Sequence, residues 1–153
     1  LRCDEKKSKY IHSTKSDIDL QRKYIENYKK VKSEYYFIIE NKNKEPIGTY
    51  RIYDIKKDSF CIGSWLMKQG STTLEMLEGD YLVRKFGFDA LKLDKMHFDV
   101  RKANKKVIRY HKMTGAKIVD ETDLDYFFEC TKQDYLNNIK NIYSDIIADE
   151  NIE

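Results

Sequence analysis

The chain has 153 residues, 41% hydrophobic and 36% charged, which suits one soluble globular domain able to bury a real core. A net charge of +3, with Lys interspersed among Asp and Glu, is too small to argue for a nucleic-acid partner. Cys3, Cys61 and Cys130 are odd in number and widely spaced, so neither a zinc site nor a disulfide framework is indicated and a reducing cytoplasm fits; no signal peptide is expected, and no run approaches the roughly 18 apolar residues of a membrane helix.

Residues 1–15 are polar, with Tyr10-Ile11-His12 as an apolar island. Ser16 or Asp17 can cap a helix running to about Lys32, with Leu20, Tyr24, Ile25, Tyr28 and Val31 as one apolar stripe. Residues 34–40 (EYYFIIE) read as a strand, 41–46 as a polar turn, 47–55 as a second strand and 59–67 (SFCIGSWLM) as a third. Together they predict an antiparallel meander. A helix is expected from Leu74 to Leu91, with a broad apolar face that includes Leu74, Leu77, Tyr81, Leu82 and Phe86. It would cross over between two neighbouring strands.

The most informative stretch is Lys95 to Ala116, KMHFDVRKANKKVIRYHKMTGA. Met96, Phe98 and Val100 alternate with Lys95, His97 and Asp99, as in a half-buried strand. The Asn104 side chain can accept an orphan N–H of a following helix, and Gly115 can stop that helix in the left-handed conformation. A hairpin over 117–120 and 125–131 follows. A last helix from Gln133 to Asp149 carries Leu136, Ile139, Tyr143, Ile146 and Ile147 along one side.

The pattern V-R-K-x-N-x-x-V-I-R-Y-H-x-x-x-G-A, Val100 to Ala116, resembles the second half of the GCN5-related N-acetyltransferase core, in the branch of ribosomal-protein and amino-sugar acetyltransferases. The resemblance reaches upstream to about Tyr35 and downstream to about Thr131. It implies an α/β fold with a mixed, mostly antiparallel sheet flanked by helices. Acetyl-coenzyme A would lie where the strands ending at Met67 and Val100 splay apart. The expected domain is residues 1–131, with the helix of 132–153 packed on it. It further implies that a first strand and most of a first helix precede Leu1, and that the helix before Lys32 borders the acceptor pocket.

The family cradles the cofactor pyrophosphate with a Gln/Arg-x-x-Gly-x-Gly/Ala turn at a helix N-terminus. Aligned without gaps, that slot holds Ser71-Thr72-Thr73-Leu74-Glu75-Met76, so its Arg/Gln is Ser71 and its central Gly is Leu74. Ser71, Thr72, Thr73 and Leu74 can still offer hydroxyls and N–H groups; the other reading is a plain Ser/Thr helix cap. By resemblance, backbone N–H groups of Leu66 and Met67 polarise the thioester, Trp65 walls the acetyl or acceptor pocket, and Asn104 opens the helix beside the cofactor. Trp65 reads equally as a core or rim aromatic. The family's proton donor to the leaving thiolate stands seven residues after the helix-opening Asn, which here is His111, with Tyr110 one before it. A packed His111, with the thiolate leaving by solvent help, is the other reading. Arg101, Lys102, Lys105, Lys106 and Arg109 lie beside the gap, most of them as a solvated face. No metal is expected.

The sequence thus predicts an enzyme moving acetyl from acetyl-CoA to a primary amine of a small molecule, such as a nucleotide-linked amino sugar in surface-polysaccharide synthesis. The rivals are a protein N-terminal acetyltransferase and a non-catalytic binding module of the same fold. A monomer or homodimer, with no nucleic-acid or membrane partner, is expected.

Overall fold

The computed structural model describes residues 18–28 and 33–150. The helix cap at Ser16 or Asp17, the helix end near Lys32, Val31, Cys3, the Tyr10–His12 island and the side chains of Ile146 and Ile147 lie outside the described residues. The elements are α1 (Ile18–Tyr28), β1 (Tyr35–Glu40), β2 (Pro46–Tyr53), β3 (Ser59–Met67), α2 (Thr73–Lys85), a π-helical turn (Phe86–Ala90), β4 (Lys95–Arg101), α3 (Lys105–Met113), β5 (Lys117–Glu121), β6 (Asp125–Thr131) and α4 (Lys132–Glu150). One sheet has the order β1-β2-β3-β4-β6-β5, and only the β3–β4 pair is parallel. The expected mixed, mostly antiparallel sheet with flanking helices is what forms.

Period-two alternation sorts the side chains between two faces. Tyr50 and Ile52 of β2, Phe60 of β3, Met96, Phe98 and Val100 of β4, and Phe128 and Cys130 of β6 enter the core. There they meet Leu77 and Val83 of α2, Ile108 of α3, and Tyr135, Ile139 and Ile142 of α4. Each such side chain contributes about 1.5–3 kcal/mol relative to exposure. On the opposite face Tyr28 of α1 meets Tyr36 edge-on at 6.2 Å, and its hydroxyl accepts the Tyr36 N–H at 2.6 Å. Leu20, Tyr24 and Ile25 of the α1 stripe are exposed.

Four expected elements differ in detail. The helix expected over 74–91 is α-helical only to Lys85 and then widens into the π turn. A Cβ on Gly87 would sit 2.3 Å from the Phe60 ring, so the widened turn brings backbone against an aromatic face that no side chain leaves room for. Strand β2 ends at Tyr53 rather than Ile55, because Asp54 adopts φ +45° and its carboxylate turns out to His97 Nε2 at 2.9 Å. The buried stripe of α4 is Tyr135, Ile139 and Ile142; Leu136 is half-buried, and Tyr143 stays at the edge, donating to Glu78 at 3.4 Å. Asn104 holds the N-cap position of α3 without a side-chain capping bond. Its N–H closes a tight turn onto the Arg101 carbonyl at 2.8 Å, and its ψ of 65° departs from the extended backbone that a capping residue usually takes. Gly115, by contrast, ends α3 at φ +92°, with the Ala116 N–H reaching back to the His111 carbonyl at 3.0 Å.

Candidate active site

The site begins where β3 and β4 part. They pair only over Ser59–Cys61 and Lys95–His97. β4 remains held by β6 along its whole length, while β3 follows β2 and bulges. Gly63 faces Arg51 and Leu66 faces Thr49, so Ser64 and Trp65 share the place opposite Tyr50. Ser64 takes φ +52°, and Thr49 Oγ1 donates to its carbonyl at 3.2 Å, which fixes the bulge. The divergence leaves a cleft of about 330 Å³, walled by Ser64 and Trp65 on the β3 side and by Asp99, Arg101 and Asn104 on the other. Tyr50 and His111 also line it. Leu66 and Met67 follow the bulge directly, opposite Thr49 and Gly48, and their side chains are not part of the lining.

Behind the wall is a buried polar network. Asp80 and Arg84 stand one turn apart on α2 and are both fully buried, joined at 2.8 Å between Asp80 Oδ1 and Arg84 Nε. Tyr50 donates to Asp80 Oδ1 at 2.6 Å and Tyr110 donates to Asp80 Oδ2 at 2.7 Å, so both carboxylate oxygens are occupied. Arg84 Nη2 lies 3.0 Å from His111 Nδ1, and the guanidinium carbon sits 4.8 Å over the Tyr135 ring. Burial first, and then the Asp80 charge, push the Tyr110 phenol well above its ordinary range. Burial first, and then the Arg84 charge, hold the His111 imidazole well below its ordinary value. His111 and Tyr110, adjacent in sequence, thus meet one ion pair from different sides. Trp65 stacks on Tyr50 at 5.4 Å, and its Nε1–H is buried without a partner among the described residues.

The α1 face of the cleft carries charge. Arg51 Nη2 pairs with Glu34 at 2.6 Å, its guanidinium lies 4.5 Å over Tyr53, and its Nε–H is buried and unpaired among the described residues. Arg101 Nε pairs with Asp125 at 3.1 Å. Both arginines are therefore neutralised, while Asp99, exposed on the same wall, has no ion pair among the described residues. Lys102 is drawn off to Glu121 at 2.6 Å and lies over Tyr126. Lys105, Lys106 and Arg109 are exposed.

At the N-terminus of α2 the chain caps itself. Thr72 Oγ1 accepts the Glu75 N–H at 3.1 Å, and Glu75 Oε2 accepts the Thr72 N–H at 2.9 Å. This reciprocal box satisfies two orphan donors and leaves those of Thr73 and Leu74. Ser71 folds back onto the Lys68 carbonyl through both its N–H and its hydroxyl, and Gly70 bends the loop at φ +91°. Among the described residues no group of three His, Cys, Asp or Glu side chains is placed to hold a metal ion. No helix among them is long and apolar enough to cross a membrane.

Of the residues that the sequence reading singled out, the structure brings His111, Tyr110, Trp65 and Asn104 to the cleft or its back wall, while Leu66, Met67, Ser71, Thr72, Thr73 and Leu74 are not part of its lining. It missed Asp80 and Arg84. Their signal was present, since Leu77, Asp80 and Arg84 share one helical face and charges on an apolar face need partners. It also missed Asp99 and Arg51, which sequence alone shows only as polar positions in alternating strands.

A family model for the acetyltransferase (GNAT) domain matches residues 1–117. No curated protein matches the chain significantly. Among solved structures, apo FdhC, described as a nucleotide-linked sugar GNAT, is 34% identical with a TM-score of 0.80, over 93% of this chain and 82% of that one. The N-acetyltransferase PseH of Campylobacter jejuni, in complex with acetyl coenzyme A, is 20% identical with a TM-score of 0.67, over 75% of this chain and 81% of that one. A variant spermidine N-acetyltransferase SpeG from Vibrio cholerae is 14% identical with a TM-score of 0.69, over 82% of this chain and 80% of that one. The last two likenesses concern the fold.

Proposed function

The chain belongs to the GNAT family of acetyl-CoA-dependent N-acetyltransferases, and on that premise we propose that its acceptor is the primary amine of a nucleotide-linked amino sugar, as used in surface-polysaccharide synthesis. The observation that carries the amine is Asp99. It is the one uncompensated charge among the cleft residues described above, and it suits an incoming ammonium. The nucleotide-linked sugar is supported by the likeness to FdhC.

The residues present fit acetyl-CoA. The β3–β4 divergence gives it a strand-lined gap, and among the described residues the Trp65 Nε1–H and the Asn104 amide have no partner and Thr73 and Leu74 keep free N–H groups at the start of α2. When bound, it supplies an acetyl group activated as a thioester. The N–H groups of Thr73 and Leu74, on the turn shaped by Ser71 and Thr72, would hold the pyrophosphate end, with Asn104 beside the chain that crosses the gap. Backbone N–H groups of Leu66 and Met67, aimed by the bulge, would meet the acetyl oxygen. Asp99 binds the acceptor ammonium and takes its first proton, freeing the nitrogen lone pair. Trp65 walls the pocket against water. His111 faces the leaving sulfur, and Tyr110 serves by holding Asp80.

An acceptor panel tests the reading. Release of CoA thiol is measured with acetyl-CoA and nucleotide-linked amino sugars, free amino sugars, spermidine and N-terminal peptides. The nucleotide-linked sugars should give the highest kcat/KM by tenfold or more. Turnover of peptides alone would replace the proposal with protein N-terminal acetylation, and binding of acetyl-CoA without turnover of any amine would leave a binding module.

A further inference from the structure

We propose that the buried Asp80–Arg84 pair acts as a positioning device that fixes His111 as the neutral Nε2–H tautomer, so that the cleft is presented with a hydrogen-bond donor that keeps its proton across the working pH range. This rests on the acetyl-transfer reading for its purpose, but not for its geometry. Arginine can only donate, so His111 Nδ1, 3.0 Å from Arg84 Nη2, must accept. The ring's single proton is then on Nε2, and His111 lines the cleft. A second proton on Nδ1 would face a guanidinium that cannot turn away. Arg84 is held by Asp80 through Nε, by the Tyr135 ring and by Met96 Sδ at 3.7 Å from Nη1. Asp80 is fixed in turn by the Tyr50 and Tyr110 hydroxyls.

The groups around the ring are consistent with a neutral imidazole. The rings of Phe98 at 4.4 Å and Phe128 at 6.2 Å, both tilted against it, give it apolar surroundings without charge. Arg84 from α2 and Tyr110 from its own helix meet the ring, and the titratable groups around that ion pair are Asp80 from α2, Tyr50 from β2, Tyr135 from α4 and Cys130 from β6. The Asp80 carboxylate, which would favour an imidazolium, already receives three donors. Such a ring gives a hydrogen bond to sulfur as negative charge grows there. The proton that completes the thiol comes from the acceptor nitrogen as the amide forms, and the imidazole returns unchanged. Arg84 is a positioning residue and His111 the group that touches substrate.

The test is spectroscopic and needs no acceptor. Protein labelled with ¹⁵N-histidine is followed by long-range ¹H–¹⁵N spectra between pH 8 and pH 5, and the His111→Gln spectrum identifies the His111 signals among three histidines. His111 should show a protonated Nε2 and a bare Nδ1 throughout. A His111 that titrates to imidazolium in this range, or carries its proton on Nδ1, overturns the proposal. The functional arm is Arg84→Gln, whose side-chain oxygen can accept from Nδ1–H and so flip the tautomer. It should lower kcat about as far as His111→Ala does, tenfold or more, leave acetyl-CoA affinity within about twofold, and add nothing in the double variant. A folded Arg84→Gln with wild-type kcat would reduce the pair to a structural role. If Arg84→Gln fails to fold, the spectra of the unaltered protein alone decide. Absence of turnover with every amine would sink the acceptor reading and leave the spectra untouched.

Discussion

In the proposed function, Asp99 is the residue that receives the acceptor amine. Removing its charge by Asp99→Asn preserves size and leaves the paired Arg51–Glu34 and Arg101–Asp125 groups in place. A hydrogen bond to a charged group contributes about 1.5–3 kcal/mol, so kcat/KM for the acceptor should fall roughly ten- to hundredfold. The KM for acetyl-CoA should stay the same; steady-state kinetics with each substrate varied in turn checks this. His111 makes a second, independent prediction. Its folded-state value lies well below the ordinary one, so between about pH 6.5 and 5.5 the unfolded chain binds a proton that the folded chain does not. Stability attributable to His111 is therefore complete above about pH 6.5 and falls by up to about 1.4 kcal/mol per unit as pH drops below it. Urea titrations across this window should show that slope, and His111→Gln should flatten it.

The start of α2 poses a conflict between two uses of one helix end. Glu75 caps Thr72 and places a carboxylate where a pyrophosphate would need the N–H groups. Glu75→Gln keeps a weaker capping bond and removes the charge. Its expected cost to the free protein is about 0.5–1 kcal/mol, while acetyl-CoA should bind several-fold more tightly because the phosphates no longer displace a carboxylate. Calorimetric titration that finds weaker binding in this variant would remove the helix start from the cofactor site. At the other end of the chain, α4 buries Tyr135, Ile139 and Ile142 in the core and covers Arg84 of α2 with the Tyr135 ring. A chain ending at Thr131 should therefore unfold well below the full chain or not fold at all. Equal melting temperatures would make the helix an appendage.

As a whole, the molecule is two half-sheets held together at one end and opened at the other. A ligand that bridges the open end binds only the folded state. Acetyl-CoA at about 100 times its dissociation constant should add roughly 2.7 kcal/mol, which for a chain of this size raises the melting temperature by about 5–10 °C. Differential scanning fluorimetry with CoA and acetyl-CoA measures it, and no shift at millimolar ligand would contradict the fit of this cleft to its cosubstrate. The buried ion pair gives the same architecture a weak point. Removing one partner of such a pair typically costs about 3–5 kcal/mol, because the other charge is then stranded.

What the sequence determined by itself was everything set by short-range periodicity. The Met96-Phe98-Val100 alternation and the Gly115 stop, at φ +92°, were legible because each depends on a few neighbouring backbone angles and one face of one element. The Val100–Ala116 pattern located the cleft for the same reason, since it lies in a single strand–turn–helix unit. Tertiary structure alone decided what each polar side chain meets. Asp80, Arg84 and His111 are separated by up to 31 positions in the chain and joined within 3.0 Å in space. That proximity fixes which nitrogen of His111 carries its proton. The same limit hid the commitment of the Tyr110 hydroxyl to Asp80, the failure of Asn104 to cap, and the isolation of Asp99. A hydrogen-bond partner is chosen by the packing of elements from distant parts of the chain, and the free-energy cost of an unpaired buried charge is what makes that choice unique.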